Sequence, residues 1–437
     1  MNNLQHHHIA KMLVLLLALI FCFDVYSQQR LTLESKIDIA VKKYVDHYVF
    51  NGTILVADHD ELIYHKSYGN AHIATGEPKD NQKNTLNKVN TQFGIGSITK
   101  TITAVMVMQL VENNDLKLED KISQHLPNFP KEKGDRISLH QLLSHRSGLP
   151  NYFEIPGWTN GQFNKSMSVA EFENVIYRLP LKFEPGTSYE YSNSGYFLLG
   201  KIIEKVTQKN YLQALQESIL VPAKMTQTGL QLKNNKLPHL ASSYQFSGKN
   251  GFRQAQINPE LFRAAGDMYS TAKDLFSFEQ ALLGGKLLSK DSLDRLFKPG
   301  RSYGWNQLKV ATANQQLDMV SYSGQLMGFN SMLSVIPKDK FTVILLGNIG
   351  TSHYERMNIT HEIISLLYDM PIASDKLRAS LYLHRALYQG NLTDAIQEIK
   401  SNPDEFQLDR QGIQSLAQQV RWSGLAAQEE SILQLLN

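Results

Sequence analysis

Ser97 and Lys100 lie three residues apart in the stretch GIGSITK, directly before the apolar segment TITAVMVMQLV. Three residues is just under one helical turn, so the two side chains would share one face of a helix. If the helix begins at Ser97, its free backbone N–H groups would stabilise a developing anion. A desolvated lysine loses proton affinity and can act as the base for the serine. The alternative interpretation is an N-cap serine beside a lysine that reaches solvent.

Tyr191 and Asn193 lie in the loop FEPGTSYEYSNSGYFLLG, residues 183–200, which runs into an apolar helix. A phenol near a cation can shuttle protons, and an asparagine amide can orient a substrate carbonyl. The alternative interpretation is a helix N-cap region with a tyrosine that only packs.

Tyr322, Ser323 and Gly324 end an apolar strand in SYSGQLMGFNSMLSVIP, residues 321–337. Because Gly324 has no side chain, a substrate could lie along the strand, and the N–H of Gln325 could donate to an oxyanion. The alternative is a plain hairpin with glycine at positive φ.

Together the three motifs resemble the serine β-lactamase and penicillin-binding protein superfamily. The pattern is similar to class C β-lactamases and to related D-alanyl-D-alanine carboxypeptidases, D-aminopeptidases and family-VIII-type esterases. Two further stretches, LLSHRSGLPNY (142–152) and AAGDMYSTAKDLFSF (264–278), also resemble family segments. The resemblance covers roughly residues 45–350.

The resemblance implies a role for each motif residue. Ser97 would form an acyl-enzyme, Lys100 would take or relay its proton, and Tyr191 would act as phenolate or proton shuttle. Asn193 would bind the acyl amide. The backbone N–H groups of Ser97 and Gln325 would form the oxyanion hole. The charge of Lys100 would lower the pKa of Tyr191, and which of the two is the base stays open.

One departure concerns the third motif, which in the family usually begins with Lys or His and here begins with Tyr322. Tyr322, Ser323 and Gly324 would then line a substrate site without a positive charge. This favours an esterase or an amidase acting on uncharged termini. The alternatives are a true β-lactamase and a non-hydrolytic penicillin-binding or scaffold module.

The resemblance implies an α+β, β-lactamase/transpeptidase-like fold for residues 28–370. Helix period over 33–49 and two alternating runs, GTILVAD and LIYHKSYG, predict a helix and a hairpin. Three late strands predict an antiparallel meander, so helices would flank one sheet that carries a large all-helical insert at about 101–290. Residues 371–437 predict a C-terminal helical extension, either packed on the main domain or tetratricopeptide-like. Its helices could bind a protein partner.

The N-terminus has the tripartite pattern of a secretory signal: a polar start with Lys11, an apolar run of twelve residues, and small residues near Ser27. We therefore expect 1–27 to be a signal peptide and the mature protein to be secreted, in the periplasm, without a stable membrane anchor. Cleavage would remove Cys22, the single cysteine, which excludes thiol catalysis. Phe21 in place of a small residue argues against lipidation.

Composition and charge narrow the function further. The formal charge of +3 over 437 residues, without a basic run, argues against nucleic-acid binding. The histidines show no metal-ligand spacing, so we expect no metal and no cofactor, and we interpret His145 as structural. The expected ligand is a small molecule or a peptide.

Overall fold

The computed structural model describes residues 32–74, 83–155, 167–232, 237–247, 252–254, 258–298, 300, 303–312, 315–370 and 376–436. The predicted signal peptide, 1–27, lies outside the described residues. Within these ranges, none of the helices combines the length and the apolar character that crossing a bilayer requires.

Among the described residues, more lie in helices than in strands. The predicted first helix is present, and the segment that follows Ser97 forms a helix buried on all sides. In chain order the helices are α1 (Leu33–Asp46), α2 (Thr99–Glu112), α3 (Ile122–His125), α4 (Lys131–Gly134), α5 (Leu139–Leu143), α6 (Val169–Arg178), α7 (Asn193–Thr207), α8 (Tyr211–Leu215), α9 (Ala272–Leu283), α10 (Lys290–Leu296), α11 (His353–Leu367), α12 (Ala379–Gln389), α13 (Leu392–Ser401), α14 (Arg410–Trp422) and α15 (Ala426–Leu433).

The main sheet has six antiparallel strands in the order β10-β11-β12-β13-β1-β2. The predicted hairpin and the predicted meander are both confirmed, and β10 is a strand that the sequence patterns did not indicate. The strands of this sheet are β1 (Gly52–Asp58), β2 (Glu61–Tyr68), β10 (Asn306–Ala311), β11 (Gln316–Leu326), β12 (Phe329–Ile336) and β13 (Phe341–Gly347).

Both faces of the sheet are covered, which explains why β1 is almost wholly buried. Alternate residues of a strand point to opposite faces. Ile54 and Val56 pack in the cluster that contains the apolar stripes of α1 and α11. Leu55 and Ala57 pack in the larger cluster that contains α2 and α7. The segment that carries Ser97 and Lys100 therefore lies on the face of the sheet toward the large helical region.

The region between about 101 and 290 is not all-helical, so that prediction was wrong. Short strands pair within it and with its neighbours, and two- or three-residue strands are too short to show a period in the sequence. The short strands outside the C-terminal region are β3 (Asn70–His72), β4 (Thr85–Leu86), β5 (Phe93–Gly94), β6 (Gly229–Leu230), β7 (Tyr244–Phe246), β8 (Phe252–Gln254) and β9 (Met268–Ser270). Strand β9 lies between β5 and β6, which joins the segment before Ser97 to the helical region.

The C-terminal extension consists of α12 to α15, as the helical pattern predicts, and has an apolar core of its own. It also contains a two-residue parallel pair, β14 (Leu377–Arg378) and β15 (Phe406–Gln407), which the sequence did not indicate. Arg378 joins the extension to the main body through an ion pair with the buried Glu355 (2.7 Å). Within the extension, Arg378 also pairs with Asp409 (3.5 Å). A tetratricopeptide-like character stays a prediction.

Candidate active site

Ser97 lies in a 3₁₀ turn, Gly96–Ile98, and α2 begins only at Thr99. The condition that the helix begins at Ser97 is therefore not met, because the α-helix begins two residues later. Gly96 has φ +51°, a left-handed conformation, and a Cβ there would lie 2.7 Å from the backbone nitrogen of Gln325. Glycine is thus required for the turn to approach β11. Ser97 itself is half-buried, so its hydroxyl can meet a ligand.

Lys100 is fully buried in the first turn of α2. Its Nζ lies 3.1 Å from the Oγ of Ser97, 2.7 Å from the Oδ1 of Asn193 and 2.5 Å from the carbonyl oxygen of Ala265. Burial lowers the pKa of Lys100 well below its usual range. The lysine does not reach solvent, so the alternative interpretation of Lys100 was wrong. The role of Lys100 as a base stays a prediction.

Tyr191 completes a triangle with Ser97 and Asn193. Its phenol oxygen lies 2.7 Å from the Oγ of Ser97 and donates to the Oδ1 of Asn193 at 3.3 Å. Burial raises the pKa of Tyr191, while hydrogen bonds from Ser97 and Tyr322 oppose this rise. The Nζ of Lys100 lies 5.0 Å from the centre of the Tyr191 ring.

This electrostatic balance differs from the expected pair of lysine cation and phenolate. Desolvation disfavours the charged form of both groups, since Lys100 and Tyr191 lie in the same dry interior. Burial therefore favours the neutral amine of Lys100 and the neutral phenol of Tyr191 over their charged forms. The proton transfers at the site are therefore written from the neutral amine and the neutral phenol.

Asn193 is the first residue of α7, with Ser192 as its N-cap. Its Nδ2 donates to the Oδ1 of Asn151 at 3.0 Å. Sequence reasoning missed Asn151, although the stretch LLSHRSGLPNY contains it. The residue type could have indicated this role. An asparagine that caps a short 3₁₀ turn uses its oxygen for the cap and can make a further hydrogen bond with the same side chain.

His145 contacts the tyrosine–asparagine motif from behind. Its Nδ1 accepts the backbone N–H of Ser192 at 3.1 Å, and its ring lies against Tyr191 with centroids 4.6 Å apart. Burial lowers the pKa of His145 to about 3, so the ring is neutral and can accept this hydrogen bond. The structural interpretation holds and becomes more specific, because His145 orients the loop that carries Tyr191.

The third motif lies on β11, beside the turn that carries Ser97. Tyr322 is buried and hydrogen-bonded to Tyr191, Ser323 is half-buried, and Gln325 is exposed at the strand end. A Cβ on Gly324 would lie 1.9 Å from the carbonyl oxygen of Ile95 and 2.4 Å from the Oγ of Ser331. Glycine is therefore required for contact between strand and turn, rather than for room for a substrate alone.

Comparison with known proteins identifies the family. Residues 37–366 match the model of the Beta-lactamase family. The chain belongs to this family. It is 30% identical over 311 residues to a putative penicillin-binding protein PbpX of Bacillus subtilis, covering 71% of this chain and 73% of that protein. It is 28% identical to penicillin-binding protein 4* of the same species, covering 74% of each.

Solved structures of the β-lactamase family share the fold. The D-amino acid amidase of Ochrobactrum anthropi superimposes with a TM-score of 0.64 at 24% identity, covering 77% of this chain and 99% of that one. The α+β, β-lactamase/transpeptidase-like fold is thereby confirmed, and the chain is a member of a family of serine hydrolases. The C-terminal extension begins beyond the matched residues.

The site of this β-lactamase family member has the residues for acyl transfer. The structure brings Ser97, Lys100, Tyr191, Asn193 and Tyr322 into one hydrogen-bonded group. Gly324 and Gln325 lie on the strand beside it. Among the described residues, no cluster of three or more His, Cys, Asp or Glu side chains could hold a metal ion.

Proposed function

We propose that this protein is a serine hydrolase that forms an acyl-enzyme through Ser97 on an ester or an amide. The observation that carries the proposal is the position of the Ser97 hydroxyl, within hydrogen-bonding distance of both the buried amine of Lys100 and the buried phenol of Tyr191. A serine is a weak nucleophile unless a base takes its proton. Here Lys100 and Tyr191 both lie within reach.

Acylation begins as the Ser97 oxygen attacks the substrate carbonyl carbon and its proton passes to the Nζ of Lys100. The carbonyl oxygen becomes an oxyanion, which the backbone N–H groups of Ser97 and Gln325 would stabilise. The bond to the leaving group then breaks, and the phenol of Tyr191 gives its proton to that group. The water molecule that replaces the leaving group can take the phenolate's missing proton from Lys100 to Tyr191, by accepting from the Nζ and donating to the phenolate, which restores both neutral residues.

Deacylation runs through the same groups. A water molecule replaces the leaving group, gives its proton to the neutral base and attacks the acyl carbon. The bond between that carbon and the Ser97 oxygen breaks, and the serine recovers its proton. Asn193 would bind the acyl amide with the Nδ2 hydrogen that it does not donate to Asn151.

The substrate class follows from Tyr322. A buried phenol supplies a hydrogen bond and no positive charge, so a substrate carboxylate gains no ion pair at this position. This supports a D-amino-acid amide or peptide with an uncharged end, or a small ester. The alternatives are a true β-lactamase and a non-hydrolytic penicillin-binding module, and the names of the two Bacillus relatives support the second of these.

The decisive experiment offers four probes to the purified protein: a fluorescent penicillin, a chromogenic cephalosporin, p-nitrophenyl esters and D-alanyl-D-alanine peptides with free and amidated ends. We expect turnover of the ester or the amidated peptide, and a covalent adduct on Ser97 by mass spectrometry. Ser97→Ala should lose at least about a thousandfold in kcat/KM, the scale seen when a catalytic nucleophile is removed.

The control is Ser144→Ala, a buried serine whose hydroxyl donates to the backbone of α5 outside the site. Labelling by penicillin without turnover would favour the binding module, and efficient cephalosporin hydrolysis would favour the β-lactamase. If Ser97→Ala performs like the parent protein, covalent catalysis by Ser97 is wrong.

We also propose that the protein is secreted to the periplasm and that α12 to α15 bind a protein partner. The signal pattern of 1–27 supports the first point. An exposed Trp422, with 71% of its surface accessible, supports the second.

A further inference from the structure

The amide of Asn193 is held on both sides. Its Oδ1 accepts from the Nζ of Lys100 at 2.7 Å and from the phenol of Tyr191 at 3.3 Å. Its Nδ2 donates to the Oδ1 of Asn151 at 3.0 Å. The side chain is 3% exposed, so water cannot replace these partners freely. The orientation of the Asn193 amide therefore decides whether the Nζ of Lys100 faces an oxygen or an N–H group.

That orientation is anchored on the backbone. The Oδ1 of Asn151 also accepts the backbone N–H of Phe153 at 3.3 Å, as the cap of the 3₁₀ turn Tyr152–Glu154. A backbone N–H can only donate, so Asn151 must present its oxygen to it. The same oxygen of Asn151 also faces Asn193. Asn193 must therefore donate from its Nδ2 to Asn151, and its Oδ1 points toward Lys100.

The orientation of the Asn193 amide matters for Lys100 in its neutral form, the form that can accept a proton from Ser97. A neutral Nζ has two hydrogens to donate and one lone pair that must accept. Asn193 Oδ1 and the Ala265 carbonyl are acceptors only, so both hydrogens go to them. The remaining neighbour is the Oγ of Ser97, 3.1 Å away, which accepts from the ammonium form of Lys100 and can donate to the lone pair of its neutral form.

We propose that Asn151 is a positioning residue that fixes the amide of Asn193 and thereby aims the lone pair of Lys100 at the proton of Ser97. The inference rests on the proposed function and deepens it. With the amide of Asn193 reversed, an Asn193 N–H would donate to the lone pair and displace the serine. Ser97 would then lose its base while every catalytic side chain remained in place.

The test uses Asn151→Asp and Asn151→Leu. Aspartate keeps the acceptor for both N–H groups, and its charge favours the ammonium form of Lys100. Burial favours the neutral form of the other titratable groups around the network, because it raises the pKa of Tyr191, Tyr196, Tyr322 and Asp267 and lowers that of His145. Arg263 is the charged group closest in the chain to Ala265, on its 3₁₀ turn.

Two measurements separate the outcomes. The first is the pH profile of kcat/KM on a p-nitrophenyl ester. The second is the ionisation of Lys100 by NMR of protein labelled at lysine ¹³Cε, with Lys100→Arg to assign the resonance. For Asn151→Asp we expect the acidic limb and the lysine titration to move up by about one pH unit.

For Asn151→Leu we expect about a tenfold loss of plateau kcat/KM and a lysine titration shifted to lower pH, since a reversed amide stabilises the neutral amine. The controls are Asn128→Asp and Asn128→Leu, the same changes at an exposed turn residue. They should leave both measurements unchanged.

Two results would overturn the inference: parent-like behaviour of both Asn151 variants, or an equal loss of activity without any shift in the lysine titration. The second result would indicate a merely structural role. The NMR titration decides the matter even if the parent protein hydrolyses none of the esters, and that failure would count against the proposed function alone.

Discussion

Lys100 combines complete burial with three polar contacts at one nitrogen. Burying an ammonium without a carboxylate is expensive, and burial therefore lowers the pKa of Lys100. Its neutral form is the one that can accept a proton from Ser97. The same desolvation that costs stability therefore produces the base, and the Ser97 hydroxyl lies where that base can use it.

At the same scale, Tyr322→Lys tests the assignment of substrate class. A lysine can keep a hydrogen bond to Tyr191 and adds a charge, which a charge-assisted bond to a substrate carboxylate can use. We expect the ratio of kcat/KM for a peptide with a free carboxylate to that for its amide to rise about tenfold. Steady-state kinetics on the matched pair of peptides gives this ratio.

Tyr322→Phe is the control, because it removes the hydroxyl without adding a charge. Its ratio should stay at the parent value, although its rate should fall as the bond that lowers the pKa of Tyr191 is lost. An unchanged ratio in Tyr322→Lys would contradict the account of the third motif.

At the scale of elements, the site is made where the turn Gly96–Ile98 meets β11. Two glycines on opposite sides allow the contact: Gly96 with its left-handed φ, and Gly324 with no room for a Cβ. The turn before α2 and a strand more than two hundred residues later are thereby fixed against each other. Acyl transfer needs that precision, since donors must point at the oxyanion.

Gly324→Ala should therefore damage the site more than the fold. The added Cβ must push β11 away from Ile95, at a cost of about 1–3 kcal/mol in the free energy of unfolding. We expect at least a hundredfold loss of acylation rate with a folded protein, measured by labelling kinetics and by denaturant unfolding.

Gly195→Ala is the matched control. A Cβ at that helical glycine would have ordinary contacts, 3.5 Å from the nearest atom, so both measurements should stay near the parent values. A Gly324→Ala variant that acylates at the parent rate would show that the strand can move without consequence.

The sequence predicted elements and motifs better than their connections. The amphipathic helix α1 follows from its helical period, and β1 and β13 follow from short apolar runs bounded by turn residues. Ser97, Lys100, Tyr191 and Asn193 followed from motif order. The sequence did not predict the role of Asn151, because that role depends on a backbone N–H and on a partner 42 residues away. The preference of Lys100 and Tyr191 for their neutral forms was not predicted either, since desolvation is a property of the packed interior.

At the scale of the whole molecule, the C-terminal extension is joined to the catalytic body by a buried ion cluster. Arg378, 12% exposed, pairs with Glu355 and Asp409, and Ser380 also donates to Asp409. Tyr48 stacks on Tyr388 at 3.8 Å beside this contact. The extension is therefore packed on the body in this structure, with specific polar contacts.

Arg378→Met should destabilise the protein by about 3–5 kcal/mol at pH 8, because two buried carboxylates lose their cation. Burial already raises the pKa of Glu355 and of Asp409. Without Arg378 these pKa values rise further, so the folded state keeps protons that the unfolded state releases. The loss of stability should thus shrink as the pH falls toward 5.

Chemical denaturation at pH 5 and pH 8 measures both effects. Lys376→Met is the control, since it removes an exposed ion pair to Asp404 two residues earlier in the chain, worth at most about 1 kcal/mol. Equal losses for the two variants, or a loss independent of pH, would show that the cluster does not hold the extension to the body.

The contact between Lys100 and the carbonyl oxygen of Ala265 cannot be tested by side-chain mutagenesis. The carbonyl oxygen of Ala265 belongs to the main chain, and Thr103 holds the preceding carbonyl, that of Ala264, at 2.7 Å. No codon change removes a main-chain oxygen, so a complete alanine scan would find two of the three neighbours of Lys100 and pass over this one. Replacing the amide that follows Ala265 with an ester, by chemical synthesis or suppression, would weaken that acceptor and show its share in setting the basicity of the lysine. The same change removes the N–H of Gly266, which donates to the carbonyl oxygen of Arg263 at 3.0 Å, so the free energy of unfolding has to be measured beside it.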